Sequence, residues 1–542
     1  MPFAALTRTR KSLVASAAVA IALSAGAAFA QQSDTTIRIT PFQQAVAETA
    51  ADNRELATFY RKTEFAPIWT GQGEPYVSRR RALMTALTVA GDHGLPAQAY
   101  DLQGLIEEMR TADTDRKRGE LDVKLSALFL DFAQDIQTGI LTPANIDSGI
   151  VREVPLRDKD GYLMGITSED PQAFFESLPP QNAEYARLMR EKLRLEALIA
   201  NGGFGPRVQA NALKPGTTGR DVVALRDRLV TMGYLPRRVD MTYDSEMEGA
   251  VLQFQIDHGL PEDGVAGRTT IDEINEPAEA RLQSVIVAME RERWLNRDRG
   301  DRHVLVNLTD FHARIMEDDK VYFKTRSVIG KNLSTHRTPE FSDVMEHMII
   351  NPTWNVPRSI AVSEYLPAFQ RNPYSNGHLK LIDGRGRVVD RSAVNFAAYN
   401  ARNFPFDLKQ PPSSRNALGL VKFMFPNKNN IYLHDTPAKS LFSRDVRAFS
   451  HGCIRLNEPF DFAYALLAWQ VDDPEGFFKS KLNTGLETKV DLKEPLPVHL
   501  IYRTAMSQAK GQMTYRRDVY GRDAKIWDAL AREGVELRGV QG

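Results

Sequence analysis

The chain has 542 residues, too many for one hydrophobic core, and its 69 basic residues balance 69 acidic ones. Nothing in that balance favours a nucleic-acid partner, which demands a clustered basic face. A single cysteine excludes an internal disulfide and argues against a structural zinc site, which draws on several cysteine or histidine ligands close together.

Residues 1–30 read as a secretory signal. Arg8, Arg10 and Lys11 form a basic start, Leu13 to Ala27 is apolar, and Ala28-Phe29-Ala30 is a small-x-small cleavage site. Without those three bases the remainder holds 66 basic and 69 acidic residues, a net charge of about −3. No other apolar run approaches the roughly 18 residues needed to span a bilayer. The expected location is therefore the periplasm. An unpaired cysteine in an oxidising compartment is a hazard unless its reactivity is used, which points to a nucleophile.

Residues 36–205 are expected to form a helical scaffold domain. Ala45 to Lys62, Arg79 to His93 and Leu121 to Thr138 carry apolar residues at three- and four-residue spacing, with breaks at Gly94-Leu95-Pro96, Gly139 and Pro179-Pro180. No catalytic constellation falls here, and the charged residues read as solvated helix faces. Residues 214–275 predict a small three-helix unit: Val222, Leu225, Leu229 and Met232 line the first helix, Ser245 to His258 forms the second, and a third begins at Thr269. Phe254-Gln255, Gly259-Leu260 and Asp263-Gly264 with Gly267 resemble the peptidoglycan-binding domain of cell-wall enzymes, and the resemblance implies a wall-directed partner.

Beyond Arg302 the periodicity turns to strands, at His303–Leu308, Ala313–Met316, Lys320–Ile329 and Val344–Ile350. A mainly-β domain over 301–505 is expected, giving a multidomain α+β chain with a C-terminal extension over 506–542. Residues 355–414 are polar and turn-rich and read as an insertion capping the sheet, in the manner of a lid.

The chemistry gathers around Cys453. A free thiol is only a few per cent thiolate at neutral pH, so a working cysteine wants an imidazole within reach. His434 and His451 both qualify, and position alone does not choose between them. Asn457-Glu458-Pro459 predicts a capped helix start just after Cys453, and the helix and Arg455 are expected to favour the thiolate. Gly452 permits unusual dihedrals, so its N–H and that of Cys453 are expected to face a developing oxyanion.

His434, fifteen spacer residues, and Ser450-His451-Gly452-Cys453 together resemble the L,D-transpeptidase catalytic domain of YkuD fold. The resemblance implies Cys453 as nucleophile, His434 rather than His451 as base, and Tyr432 as an oxyanion residue beside Gly452. Arg455 stands where several members carry asparagine, as in the large YcbB-like branch, whose scaffold domain, peptidoglycan-binding module and catalytic insertion follow the order expected here. Arg455 either pairs with a substrate carboxylate or braces its loop. Ser450, His451 and Trp354 complete the candidate substrate-binding set. Donor and acceptor peptidoglycan stem peptides, acylation by carbapenems, and no metal or cofactor are what the resemblance implies; it names no protein partner. The rival readings are an L,D-carboxypeptidase and a non-catalytic wall-binding scaffold.

Overall fold

In the computed structural model, residues 39–508 and 512–539 are described; the expected signal segment lies outside them. Among the described residues no helix is long and apolar enough to cross a membrane.

The helical part is built around the long helix Asp115–Thr138. Its Leu125, Phe129 and Phe132 are buried against Trp69, Phe174 and Phe175 from neighbouring segments. The expected helix from Ala45 to Lys62 is two helices, Pro41–Thr49 and Arg54–Lys62. Apolar spacing runs through the break, but Asn53 caps the second helix through its side chain and so restarts the chain. Several charged residues depart from the solvated-face reading: Lys192 and Glu196 are buried as a pair, and Asp122 goes furthest. Asp122 is fully buried and accepts from the backbone N–H groups of Ile68, Trp69 and Thr70 and from the Tyr60 hydroxyl, satisfying an otherwise buried turn.

The next unit packs helices Arg220–Thr231, Ser245–His258 and Arg268–Ile274 around Val222, Leu225, Leu229, Val251, Phe254 and Ile271. Buried Gln255 explains its own place in the motif. Its Oε1 accepts from Asp263 and Gly264 N–H, while its Nε2 donates to Asp263 Oδ1 and the Val265 carbonyl. The Asp-Gly turn is thereby stitched to the helix, and Gly264, at φ +66°, supplies the left-handed residue the turn requires.

Helix Ala278–Trp294 was not anticipated, because it is buried on every side and so shows no polar face. It joins the units through charge as well as packing. Arg291 pairs with Glu340 of the β domain and with Asp523 at 2.8 Å, and Arg522 reaches the same Glu340 at 3.1 Å. Arg522 and Asp523 belong to helix Arg522–Arg532, so the C-terminal segment is folded back into the body of the protein.

The strands of the β domain are β1 Arg302–Asn307, β2 His312–Glu317, β3 Lys320–Gly330, β4 Phe341–Ile350, β9 Val421–Met424, β10 Leu433–His434, β11 Ala448–Ser450, β12 Ile454–Leu456 and β13 Thr488–Ile501. They follow the order β11-β3-β12-β10-β9-β4-β13-β1-β2, and β2 pairs back to β3. Closure works because β3 is long. Its first half pairs with β2 and its second half with β12 and β11. Helix Pro459–Leu467 lays Phe462 on Phe423 and Phe323 within the core.

Between β4 and β9 lie β5 Trp354–Asn355, β6 Lys380–Ile382, β7 Val388–Val389 and β8 Asp407–Gln410, paired in the order β5-β8-β6-β7. The expected loop-like lid is thus a small subdomain with its own core of Leu366, Phe369, Leu381, Phe396, Phe404 and Leu408. Those residues are scattered among short elements, so no periodic run announces them. The antiparallel pair β14 Ala505–Ser507 and β15 Met513–Tyr515 precedes the last helix, Arg522–Arg532.

Candidate active site

Strands β10 and β12 are parallel neighbours, with Leu433 opposite Ile454 and His434 opposite Arg455. Side chains alternate along a strand, so Ile431, Leu433, Ile454 and Leu456 fall on one face. All four are buried in the core of the domain. Tyr432, His434, Cys453 and Arg455 therefore share the opposite face. Strand β9 adds Lys422, opposite His434, and its ammonium lies 5.9 Å from the centre of the Tyr432 ring. Lys422 is not among the residues the sequence motif singles out; cross-strand register is what carries it to the site.

His434 is buried, and its Nδ1 lies 2.5 Å from the Asp435 carbonyl oxygen. A carbonyl only accepts, so Nδ1 carries the proton and Nε2 keeps its lone pair. Asp435 is itself held by Leu420 N–H, Thr436 N–H and the Lys439 ammonium. Burial first, then the Arg455 guanidinium, pull the imidazole down to about 3, against the Asp435 carbonyl, which favours the protonated ring. His434 is a neutral base at rest.

The half-buried Cys453 places its Sγ 3.5 Å from the Asn430 carbonyl oxygen. Burial pushes the thiol up to about 11, against hydrogen bonds from Tyr432 and the charges of Arg455 and Lys422. The expected resting thiolate is therefore overturned. Its expected helix support is missing too: β12 intervenes before helix Pro459–Leu467, a gap of about 10 Å for three extended residues, while helix-end charge fades within a turn. The helix has Glu458 rather than Asn457 at its cap, with no side-chain capping bond.

The loop before the cysteine is braced from inside. Ser450 Oγ donates to the Cys453 carbonyl at 2.5 Å and accepts from Gly452 N–H at 3.1 Å. This corrects two expectations. Ser450 is 2% exposed and holds the loop rather than substrate, and the Gly452 N–H is already spent and cannot serve an oxyanion. Gly452 is needed for its φ of +123°, and its carbonyl accepts from Thr338 Oγ1 at 2.7 Å. Among the described residues the Cys453 N–H has no acceptor, so it stands beside the sulfur together with the Tyr432 N–H and the Tyr432 hydroxyl as a donor.

Trp354 is likewise not a groove residue: it is buried in the core of the capping subdomain, edge-on to Tyr365. Arg455 makes no hydrogen bond or ion pair among the described residues, and its Nε is buried without a partner. It does not brace the loop, which leaves its guanidinium free for a ligand. The capping subdomain reaches the site at two points, packing against Tyr432 and pairing Glu364 with His451 at 2.5 Å. A cavity of 480 Å³ opens beside His451 and Gly452 and is walled by Asp147–Gly149 of the helical part, so the scaffold borders the reactive loop.

Comparison with known proteins agrees with this arrangement. Residues 301–473, which include every residue of the shared face, match the model of the L,D-transpeptidase catalytic domain, YkuD. Residues 54–191 match a scaffold domain, and residues 218–274 match a family described as "Putative peptidoglycan binding domain". A protein of Haemophilus influenzae titled "Putative L,D-transpeptidase" is 30% identical over 241 residues, which is 42% of this chain and 47% of that protein. The chain thus matches about half the length of that relative. The crystal structure of an L,D-transpeptidase fragment from Xylanimonas cellulosilytica is 15% identical, covering 55% of this chain and 98% of its own, with a TM-score of 0.18. With the histidine, the thiol and their closed sheet inside the matched segment, the chain carries an L,D-transpeptidase catalytic domain of the YkuD family, preceded by a scaffold domain and a peptidoglycan-binding domain.

Proposed function

We propose that this protein forms 3→3 cross-links between peptidoglycan stem peptides by acyl transfer through Cys453, in the periplasm. The observation that carries the reading is the single face bearing Tyr432, His434, Cys453 and Arg455, with His434 held through Nδ1 by the Asp435 carbonyl.

In the first step Cys453 Sγ adds to the carbonyl of an L-centre in a tetrapeptide stem while His434 Nε2 takes the thiol proton. The Tyr432 hydroxyl and Cys453 N–H donate to the oxyanion, and Arg455 and Lys422 favour its charge. The C–N bond to the terminal D-alanine then breaks, His434 returns the proton to the leaving amine, and a thioester remains. The amine of a second stem attacks that thioester and loses its proton to His434; the C–S bond breaks and His434 passes that proton to the departing sulfur, restoring the neutral pair. No external oxidant or cofactor enters this balance.

At rest both groups are neutral, so proton transfer accompanies bond formation rather than preceding it. A stem carboxylate seated on the unpaired Arg455 offsets the charge that depresses His434 and raises the imidazole toward working basicity. The substrate thereby completes its own catalyst.

The test uses the full chain and a purified tetrapeptide stem. Wild type should release D-alanine and form stem dimers, and Cys453→Ala should do neither while keeping its far-UV spectrum. Dimers formed by Cys453→Ala would refute the mechanism. A carbapenem should add once, at Cys453, by peptide mass mapping. Free tetrapeptide converted to tripeptide without dimers would instead identify a carboxypeptidase.

A further inference from the structure

A second group of side chains lies at the seam between the capping subdomain and the reactive loop, and the acyl-transfer chemistry does not use it. His336 comes from the segment after β3, His451 from the loop before Cys453, and Glu364 from the short π-helical turn Ala361–Tyr365 of the cap. One ring nitrogen of each histidine and a Glu364 carboxylate oxygen all fall within 4.8 Å of one another. The two imidazoles are packed at 4.5 Å between ring centres, inclined by 43°, and His451 Nε2 faces Glu364 Oε1.

We infer that His336, Glu364 and His451 form a binding site for a divalent transition cation of the zinc class, which ties the capping subdomain to the reactive loop. Two imidazoles and one carboxylate are a donor set that borderline cations favour, and three protein ligands leave one position open to water. Tetrahedral ligands about 2.0–2.1 Å from zinc stand about 3.4 Å apart, so the cluster needs only small side-chain rotations to close on an ion. The freedom is there, because the Glu364 side chain is 46% exposed. The Thr335 hydroxyl, 2.7 Å from His336 Nδ1, orients that ring as an outer partner does at metal sites. The backbone behind the seam is fixed: Gly330 N–H donates to Thr338 Oγ1, which donates in turn to the Gly452 carbonyl. The three ligands come from three segments, so an ion between them restrains the cap against the loop two residues before Cys453. A simple His451–Glu364 pair fails to account for His336, which brings a second imidazole to the same point without a carboxylate of its own.

Metal content is read without turnover, so this proposal stands or falls separately from the acyl-transfer reading. The full chain, stripped with chelator, is dialysed against buffered micromolar Zn²⁺ and its bound metal is measured by plasma mass spectrometry. Wild type and Cys453→Ser should each hold one equivalent, and zinc should raise their thermal transition. Glu364→Ala and His336→Ala should each bind at least about tenfold more weakly, since even outer partners of metal ligands are worth that much. Both sites are at the surface seam, and a thermal transition without zinc equal to that of wild type certifies that each variant is folded. Zinc absent from wild type refutes the site. Undiminished binding in the folded double variant Glu364→Ala/His336→Ala refutes it as well, and loss of binding in Cys453→Ser places the ion on the thiol instead.

Discussion

Raising the pH should accelerate mixed-disulfide formation at Cys453 about tenfold per unit between pH 7 and pH 10, because only the thiolate attacks and its abundance follows the thiol pKa. With burial holding that pKa near 11, about one molecule in 10⁴ is ionised at pH 7. An ordinary cysteine near 8.5 is about 3% ionised there, so Cys453 has roughly 300-fold less thiolate. Its thiolate is more nucleophilic by roughly tenfold, which leaves a net rate about 20–30-fold below that of a free thiol. A small neutral disulfide reagent and intact-mass detection give the rate directly, since this is the only cysteine in the chain. Steric access scales every point equally and leaves the slope untouched. Replacing Arg455 with Met removes a cation that favours the thiolate, so the same rate should appear only at higher pH. A plateau beginning below pH 8 would refute the reasoning, for it would mean a resting thiolate that burial does not oppose.

Tyr432→Phe removes a donor beside the sulfur and should lower kcat by about 10²–10³ with KM little changed; an equal loss in KM would assign Tyr432 to ground-state binding. Ser450→Ala orphans the buried Gly452 N–H and Cys453 carbonyl, and should cost roughly 2–6 kcal/mol in denaturant unfolding of the catalytic domain, at 1–3 kcal/mol per group. A loss below 1 kcal/mol, with KM raised, would return Ser450 to the substrate. Glu340→Gln leaves Arg291 and Arg522 buried around a neutral amide, and should destabilise the joined body by about 3–5 kcal/mol. Unfolding at an unchanged midpoint would show that Asp523 alone suffices.

Local patterns made much of this protein legible. The helix Ser245–His258 is bounded by an aspartate cap and a left-handed glycine, both nearest-neighbour signals, and it occurs where the spacing places it. The β-branched runs after Arg302 became β1 to β4 for the same reason: alternation is a property of a few consecutive residues. The position of the cap was visible in polar, turn-rich composition, but its core joins residues as distant as Trp354 and Leu408, and no local period records such a meeting. Helix Ala278–Trp294 escaped because burial on all sides erases amphipathicity, and the partners of its Arg291, Glu340 and Asp523, are remote in sequence.

The candidate site divides along the same line. Covalent order alone brought out Cys453, His434 and their spacing, since one thiol and a short motif need no fold to be seen. Tertiary structure decided the rest, because pKa and hydrogen-bond satisfaction depend on what folding places nearby. It took the Gly452 N–H for Ser450, moved Trp354 into a core, carried Lys422 across the sheet to the thiol, and left Arg455 without a partner. It also reversed the electrostatic expectation: at Cys453 the cost of burying a charge outweighs two neighbouring cations, and a chain of letters carries no measure of burial.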